Sequence, residues 1–525
     1  MPKHKNWFWL SALAAACLFD YLFWQKGLGG SFVIWITVLF GVGYLLTWRE
    51  ERKPSALSMV LVLLTLGFAF VPTWRNEPFT RAISIVLTLT GALLVCATFL
   101  NGNWPYYRVV DYFKGLFTAL GYGISRPFMF GSKNGTVPPL PEEPQAKKSA
   151  KKGWAIVRGL LIALPVVALF ALLLSAADPI FSDWFAKVLN IEKLPQYLFR
   201  LFYIIVIGGF LVGLYLHAIL PNKTEARPNP NQAWMKPFLG WTETGIILGA
   251  VNLLFLSFVF IQFRYFFGGA ANISETGYTY SEYARKGFGE LVAVAVISLG
   301  LYLILATISK RESKGAGTGF SFLSILLMAN VMVMLASSLQ RLLLYEDAYG
   351  FSQLRTYTHV FIFCLAVLIL VAIILELFGK RGHFGLALLI TIIGFGATLA
   401  VMNVNGFIAE KNVARAVAGK ELDVPHLVSL SSDAVPVLVE RFSDPATPAA
   451  VKEDLGYALS CRSALMEDPS DEPWQQFNLG TSRAWNLLQE NRSALSKYKV
   501  EESNYYDLHY EKDGEIISCQ QYFMD

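Results

Sequence analysis

Apolar runs long enough to cross hydrocarbon, separated by connections that hold most of the cations, recur through the first 402 residues of this chain. A bilayer core of about 30 Å is crossed by roughly 20 mostly apolar helical residues. Without water to satisfy the backbone, only helices or closed barrels span it. Read with that ruler, the sequence predicts about eleven spans. They lie near Trp7–Trp24, Leu28–Thr47, Leu57–Pro72, Ile83–Leu100, Trp154–Ala176, Leu198–Leu220, Gly240–Phe263, Leu291–Ile308, Phe322–Leu342, Thr358–Phe378 and Gly385–Met402. The expected fold class is an all-α polytopic membrane protein, with residues 403–525 forming a small, mainly helical soluble C-terminal domain. Composition agrees: 54% of the 525 residues are hydrophobic and only 16% are charged, where a soluble domain carries about 25% charged residues.

The placement of the cations sets an orientation. Alternate connections are basic: Lys3 and Lys5; Arg49, Arg52 and Lys53; Arg108 through Lys152; Lys223, Arg227 and Lys236; Lys310, Arg311 and Lys314; Lys380 and Arg381. By the positive-inside rule these face the cytoplasm, so the N-terminus is expected inside and the tail outside. The net charge of +5 lies between apolar runs and not on one basic face, which excludes a nucleic-acid partner. Ala14-Ala15-Ala16-Cys17 has the outline of a cleavage box, but the apolar continuation Leu18-Phe19-Asp20-Tyr21 favours a retained first span.

The connection of about residues 101–153 is read as a cytoplasmic basic linker. It opens with an amphipathic helix over Tyr106–Leu120, with Tyr107, Val110, Phe113, Phe117 and Leu120 at helical steps. Its Lys147, Lys148, Lys151 and Lys152 suit anionic headgroups, or serve as an ordinary positive-inside flank. The lipid bilayer is thus the expected partner, with room for a protein partner at the tail. In that tail, helices are expected over Phe407–Ala418, Pro425–Phe442, Ala449–Leu465 and Trp474–Leu495, then a hairpin around Asp513-Gly514. Cys461 and Cys519 are either a disulfide of an oxidising compartment or two free thiols.

Polar residues within the apolar runs are Asp20, Glu243, Asn252 and Asn330, with Gln262 nearby. They line a path for ion or substrate, or serve as interhelical hydrogen bonds and interfacial anchors. A denser polar set falls at the outer span ends: Asp178, Arg264, Tyr265, Tyr280, Glu282, Tyr283, Arg285, Arg341, Glu346, Tyr349 and Arg355. These build a hypothetical binding site or an aromatic belt with structural ion pairs. Gly209-x-x-x-Gly213 and Gly245-x-x-x-Gly249 read as close helix contacts. No P-loop, H-E-x-x-H or G-x-S-x-G occurs, and no histidines share ligand spacing. Catalytic residues, cofactor and metal therefore go unassigned, and the balance leans away from an enzyme.

Several stretches carry a resemblance. They are Ser175-Ala176-Ala177-Asp178-Pro179-Ile180-Phe181, Gln262-Phe263-Arg264-Tyr265-Phe266-Phe267-Gly268-Gly269, Tyr280-Ser281-Glu282-Tyr283-Ala284-Arg285-Lys286-Gly287-Phe288 and Leu344-Tyr345-Glu346-Asp347-Ala348-Tyr349-Gly350 with Leu354-Arg355. Phe407-Ile408-Ala409-Glu410-Lys411-Asn412, Leu422-Asp423-Val424, Leu430-Ser431-Ser432-Asp433-Ala434-Val435-Pro436 and Arg483-Ala484-Trp485-Asn486-Leu487 continue it into the tail. With these the chain resembles a group of bacterial multi-pass membrane proteins catalogued as a domain of unknown function (numbers 4153 and 4173). An Asn-Pro-Asp-like step of that group reads Asn403-Val404-Asn405-Gly406 here, so no carboxylate role is carried over. The resemblance implies a bacterial inner-membrane location and brings no activity, substrate or cofactor.

Three functions compete on this reading. An envelope sensor or assembly scaffold is favoured by the size of the tail. A small-molecule or ion transporter requires a polar path at mid-membrane. An envelope enzyme at the outer membrane–water interface requires acidic residues in the outer loops.

Overall fold

A computed structural model of the protein describes residues 2–130, 170, 173–178, 194–220, 227–230, 235–274, 288–503, 507–512 and 514–519. Among the described residues, ten helices are long and apolar enough to cross a membrane. The sequence span at Trp154–Ala176 falls mostly outside the described residues, as do Lys147, Lys148, Lys151 and Lys152. Helices α1 (Lys5–Phe23), α2 (Gly30–Arg49), α3 (Ala56–Trp74) and α4 (Pro78–Thr98) open the chain. Next come α5 (Val109–Phe130), α6 (Leu194–Ile219), α7 (Trp241–Ser274), α8 (Phe288–Ile308), α9 (Lys314–Tyr349), α10 (Gln353–Leu377) and α11 (Phe384–Met402). The C-terminal region carries α12 (Val404–Val417), α13 (Val424–Ser429), α14 (Val435–Ser443), α15 (Ala449–Leu465), α16 (Leu479–Glu490) and α17 (Arg492–Leu495). A three-stranded antiparallel sheet closes it: β1 (Glu501–Ser503), β2 (Asp507–Lys512) and β3 (Glu515–Ser518).

The chain divides into two compact units: Met1–Gly67, Thr88–Trp104 and Tyr112–Ala226; and Phe68–Leu87, Pro105–Asp111 and Arg227–Asp525. In the first, α1 lies along α6, burying Phe8, Ala12, Ala15 and Ala16 with Leu211, Val212 and Leu216. Small residues set the spacing. A Cβ on Gly213 would strike the backbone of Gly123, and one on Gly208 would sit 2.9 Å from Leu13. Among the described residues, nothing lies within 4 Å of a Cβ placed on Gly209 or Gly249, and Gly245 meets only Trp241 of its own helix. The close approach uses the expected Gly213 together with Gly123 and Gly208, which a spacing rule within one helix does not reveal.

In the second unit, α9 packs on α7, α8 and α10 through Phe320, Leu327, Leu335 and Leu342, and α10 packs on α11. Glu376 is fully buried at the end of α10 and is held by Tyr302 Oη at 2.8 Å and by a bidentate bond from Arg381, which also donates to Ser321 at 3.0 Å. A buried carboxylate without such partners would be costly.

The tail is not a tethered appendage. Val360 of α10 and Leu399 of α11 share one core with Ile408, Leu427, Leu438, Leu455 and Leu459. Asn403 makes the join. It sits in the left-handed region at φ 52°, ends α11, and caps α12 by accepting from Gly406 N at 3.1 Å. Asparagine tolerates that backbone because its short side chain bonds locally.

The expected helix Pro425–Phe442 is broken. Leu430 is extended (φ −64°, ψ 152°), Ser431 caps a short 3-10 turn over Ser432–Ala434, and α14 starts anew with Pro436 near its N-terminus. Cys461 on α15 is disulfide-bonded to Cys519 after β3, with Cα atoms 5.6 Å apart. The hairpin turn uses Gly514 at φ 84°.

Candidate functional site

The polar residues nominated from sequence separate by environment. Tyr280, Glu282, Tyr283 and Arg285 lie outside the described residues, as do the side chains of Arg264 and Tyr265 on α7. Asp178 is exposed in the first unit. In the second unit, Glu346 is 1% exposed; its Oε1 lies 3.2 Å from His359 Nδ1, and its Oε2 has no hydrogen-bond partner among the described residues. Arg355 donates to the Gly350 carbonyl and stacks on Tyr345 at 4.0 Å; Tyr345 in turn meets Tyr349 at 5.0 Å. Arg341 is half-buried one turn earlier on α9.

The intramembrane polar residues are partnered. Asp20 accepts a bidentate bond from Arg200 and another from Tyr203 within the first unit. Asn252 Nδ2 donates to the carbonyls of Leu248 (2.8 Å) and Leu323 (3.0 Å), and its Oδ1 accepts from Asn330 Nδ2 at 3.3 Å. Gln262 Oε1 accepts from Ser337 at 3.0 Å. Glu243 lies exposed in the first turn of α7, where the helix dipole favours an acid. Interhelical bonding and end placement account for these groups.

A denser polar constellation stands where the tail meets the turn between α3 and α4. Pro78 begins α4, and the N–H groups before and within its first turn have no intrahelical acceptor. Asp433 Oδ2 accepts from Asn76 N (2.7 Å) and Glu77 N (2.9 Å), while Glu77 accepts from Phe79 N (2.8 Å), Thr80 N (2.6 Å) and the Tyr357 hydroxyl. Two carboxylates thus gather at the positive end of one helix. Asn76 Nδ2 reaches Ser432 Oγ at 2.9 Å, and Asn403 Nδ2 reaches the Asp433 carbonyl at 3.0 Å. Asn478 Nδ2 donates to both Pro72 O and Arg75 O at 2.9 Å, while its Oδ1 caps α16 through Thr481 N at 2.9 Å. Arg75 covers the end of α11, donating from Nε to Ala400 O (2.8 Å) and from Nη2 to Val401 O (3.1 Å), with its guanidinium 4.2 Å from the Trp74 ring.

Beside this knot opens a cavity of about 470 Å³ lined by Trp74, Arg75, Asp433, Glu440, Gly480 and Arg483 among others. Burial pushes the Arg75 guanidinium below its ordinary range, opposed by the charge of Asp433. Burial likewise raises the Asp433 carboxyl, against the hydrogen bonds from Asn76, Glu77 and Ser431. Arg483 and Glu440 are exposed at the rim. A Cβ on Gly480 would lie 2.5 Å from Asp433 Oδ1, so glycine there leaves the carboxylate room. The arrangement offers guanidinium donors, carboxylate acceptors and an indole face to a small polar ligand. Among the described residues, no three His, Cys, Asp or Glu side chains are grouped to hold a metal.

None of these cavity residues was nominated as a site from sequence. Two signals were present: the charged run Trp74-Arg75-Asn76-Glu77 between spans, and the tail motifs at Leu430–Pro436 and Arg483–Leu487, which both reach this cavity.

Comparison with curated proteins and with solved structures gives no match. Residues 34–441 match the model of one family, from within α2 through the knot at Asp433 to α14. The chain therefore belongs to the multi-pass membrane family described as a domain of unknown function (DUF4153).

Proposed function

We propose that the protein is an envelope sensor or assembly scaffold of a bacterial inner membrane whose C-terminal region is the receiving element. The carrying observation is the continuity of the tail with the span ends, through Asp433 and Asn478 at the α3–α4 turn and Asn412 on Phe351. A ligand or partner on such a tail acts on the spans directly. The deep asparagines Asn252 and Asn330 are bonded to each other and to backbone, which argues against a transport path.

In this reading the N-terminus is cytoplasmic and the tail extracytoplasmic. The basic connections support it. So does a count of crossings. The tail bonds to Asn76 between α3 and α4 and to Gln353 between α9 and α10. One folded region reaches both only if an even number of crossings lies between them. The described spans α4, α6, α7, α8 and α9 make five, and the eleven-span count of the sequence makes the number even. The Cys461–Cys519 bond fits an oxidising outer face.

Complementation of a deletion strain under envelope stress tests the function. Asn478→Ala, which loosens the tail, is expected to abolish complementation at normal protein abundance, while Asn252→Leu retains it. The reverse pattern would overturn the sensor reading in favour of transport.

A further inference from the structure

We propose that the cavity between Arg75 and Arg483 binds a zwitterionic organic phosphate, the phosphoethanolamine headgroup of a membrane lipid. Its lining pairs two guanidinium groups, Arg75 and Arg483, with two carboxylates, Asp433 and Glu440. Arg75 has its Nε and Nη2 occupied by the Ala400 and Val401 carbonyls, which leaves the Nη1 donors. Neither Arg75 nor Arg483 forms an ion pair among the described residues, and Arg483 has no hydrogen-bond partner there. A guanidinium half-buried against Trp74, in no direct ion pair although it feels the charge of Asp433 across the cavity, is a ready donor to phosphate. Asp433 directs Oδ2 to the α4 turn, and its Oδ1, beside Gly480, accepts no hydrogen bond among the described residues. With Glu440 exposed on the same cavity, the acidic side suits an ammonium. A simple anion would meet both carboxylates, and a simple cation both guanidinia; a ligand carrying both charges meets neither penalty.

Position argues for a lipid source. The cavity is lined by Trp74, the last residue of a membrane-length helix, and by Asn403, the residue after another. Asn478, bonded to the end of α3, is flanked by Phe477 and Leu479, which are 48% and 46% exposed, with Trp474 51% exposed nearby. Apolar and aromatic side chains exposed at the level of span ends belong at the headgroup boundary. Val401 beside the Arg75 contact is 70% exposed in the same way. A headgroup in the adjoining leaflet reaches the cavity without leaving its bilayer.

The inference deepens the sensor reading by giving its receiving site a ligand class, yet binding is measured directly, so failure here leaves the scaffold role standing. The full chain is held in dodecyl maltoside micelles, which carry no charge, and titrated with phosphatidylethanolamine, phosphatidylglycerol or soluble glycerophosphoethanolamine, read by native mass spectrometry. Wild type is expected to retain one phosphatidylethanolamine in preference to phosphatidylglycerol. Arg483→Gln and Glu440→Gln, at exposed side chains that support no internal bond, are each expected to weaken it about tenfold. Equal retention of phosphatidylglycerol, or unchanged affinity in both variants, overturns the proposal. Tight binding of glycerophosphoethanolamine without the lipid overturns the membrane source.

Discussion

Replacing Asn478 by aspartate tests the docking of the tail through one functional group. The native amide works in both directions: Oδ1 caps α16 through Thr481 N, and Nδ2 donates to the Pro72 and Arg75 carbonyls, all at 2.9 Å. Aspartate keeps the shape and the cap but turns the shared donor into an acceptor facing two carbonyl oxygens. Serine keeps the cap and loses the reach. Alanine loses both. A cap is worth about 1 kcal/mol, and each hydrogen bond a net of about 0.5–1.5 kcal/mol. Asn478→Ala is therefore expected to cost about 2–4 kcal/mol, and Asn478→Ser about 1–3 kcal/mol. Asn478→Asp should match or exceed alanine, because the retained cap is offset by repulsion. Opening of the tail is measured by native-state proteolysis of the full chain in detergent, where cleavage tracks the open population when reclosing is fast. A cost of 2–4 kcal/mol raises the cleavage rate about 30- to 900-fold. If Asn478→Asp is cleaved at the wild-type rate, the two carbonyl bonds do not hold the tail and the docking described here is wrong.

Other expectations are checked alongside. Reduction of Cys461–Cys519 opens a loop of 58 residues, which costs about 4 kcal/mol on chain-entropy grounds; Cys519→Ser should release the sheet to proteolysis, and an unchanged digest would contradict this. The Arg441 bond holds the Glu410 carboxyl below its usual 4.5, so its contribution is present above that value and lost as pH falls through the folded value. Both side chains are 38% exposed, so solvent screens the pair and the effect is small; Arg441→Gln should remove this acid-side loss in a pH series of tail proteolysis. Asp433 works with the opposite sign: burial raises it, so its contribution is complete below 3.8 and lost as pH rises through the folded value. A double-mutant cycle of Asn252→Leu and Asn330→Leu, read by unfolding in detergent, should give a coupling of about 0.6 kcal/mol; zero coupling would deny their contact.

The spans were legible because crossing hydrocarbon imposes a length and an apolarity that sequence displays without knowledge of neighbours. Ala449–Leu465 was legible too, since Val451, Leu455, Ala458 and Leu459 recur at steps of three and four and are the residues it buries. The knot at Asp433 was not, because its partners Asn76 and Glu77 lie more than 350 residues away. Glu376 hid for a related reason: a carboxylate near a span end looks interfacial until Tyr302 and Arg381 are seen to enclose it. The break at Leu430 had a local sign in Ser431-Ser432-Asp433 ahead of Pro436, a helix-start pattern outweighed by the apolar period on either side. The Cys461–Cys519 pairing depends on a Cα separation that only the fold supplies.

Asn403 gives the molecule a joint with no slack. As the same residue closes α11 and opens α12, the two rods meet at a crank and not through a cord. No coil lies between the two rods in which a rotation of one could dissipate before reaching the other. A few glycines inserted at that joint would leave both rods intact and remove this one route, with the bonds at Asn412, Asp433 and Asn478 as the remaining ties.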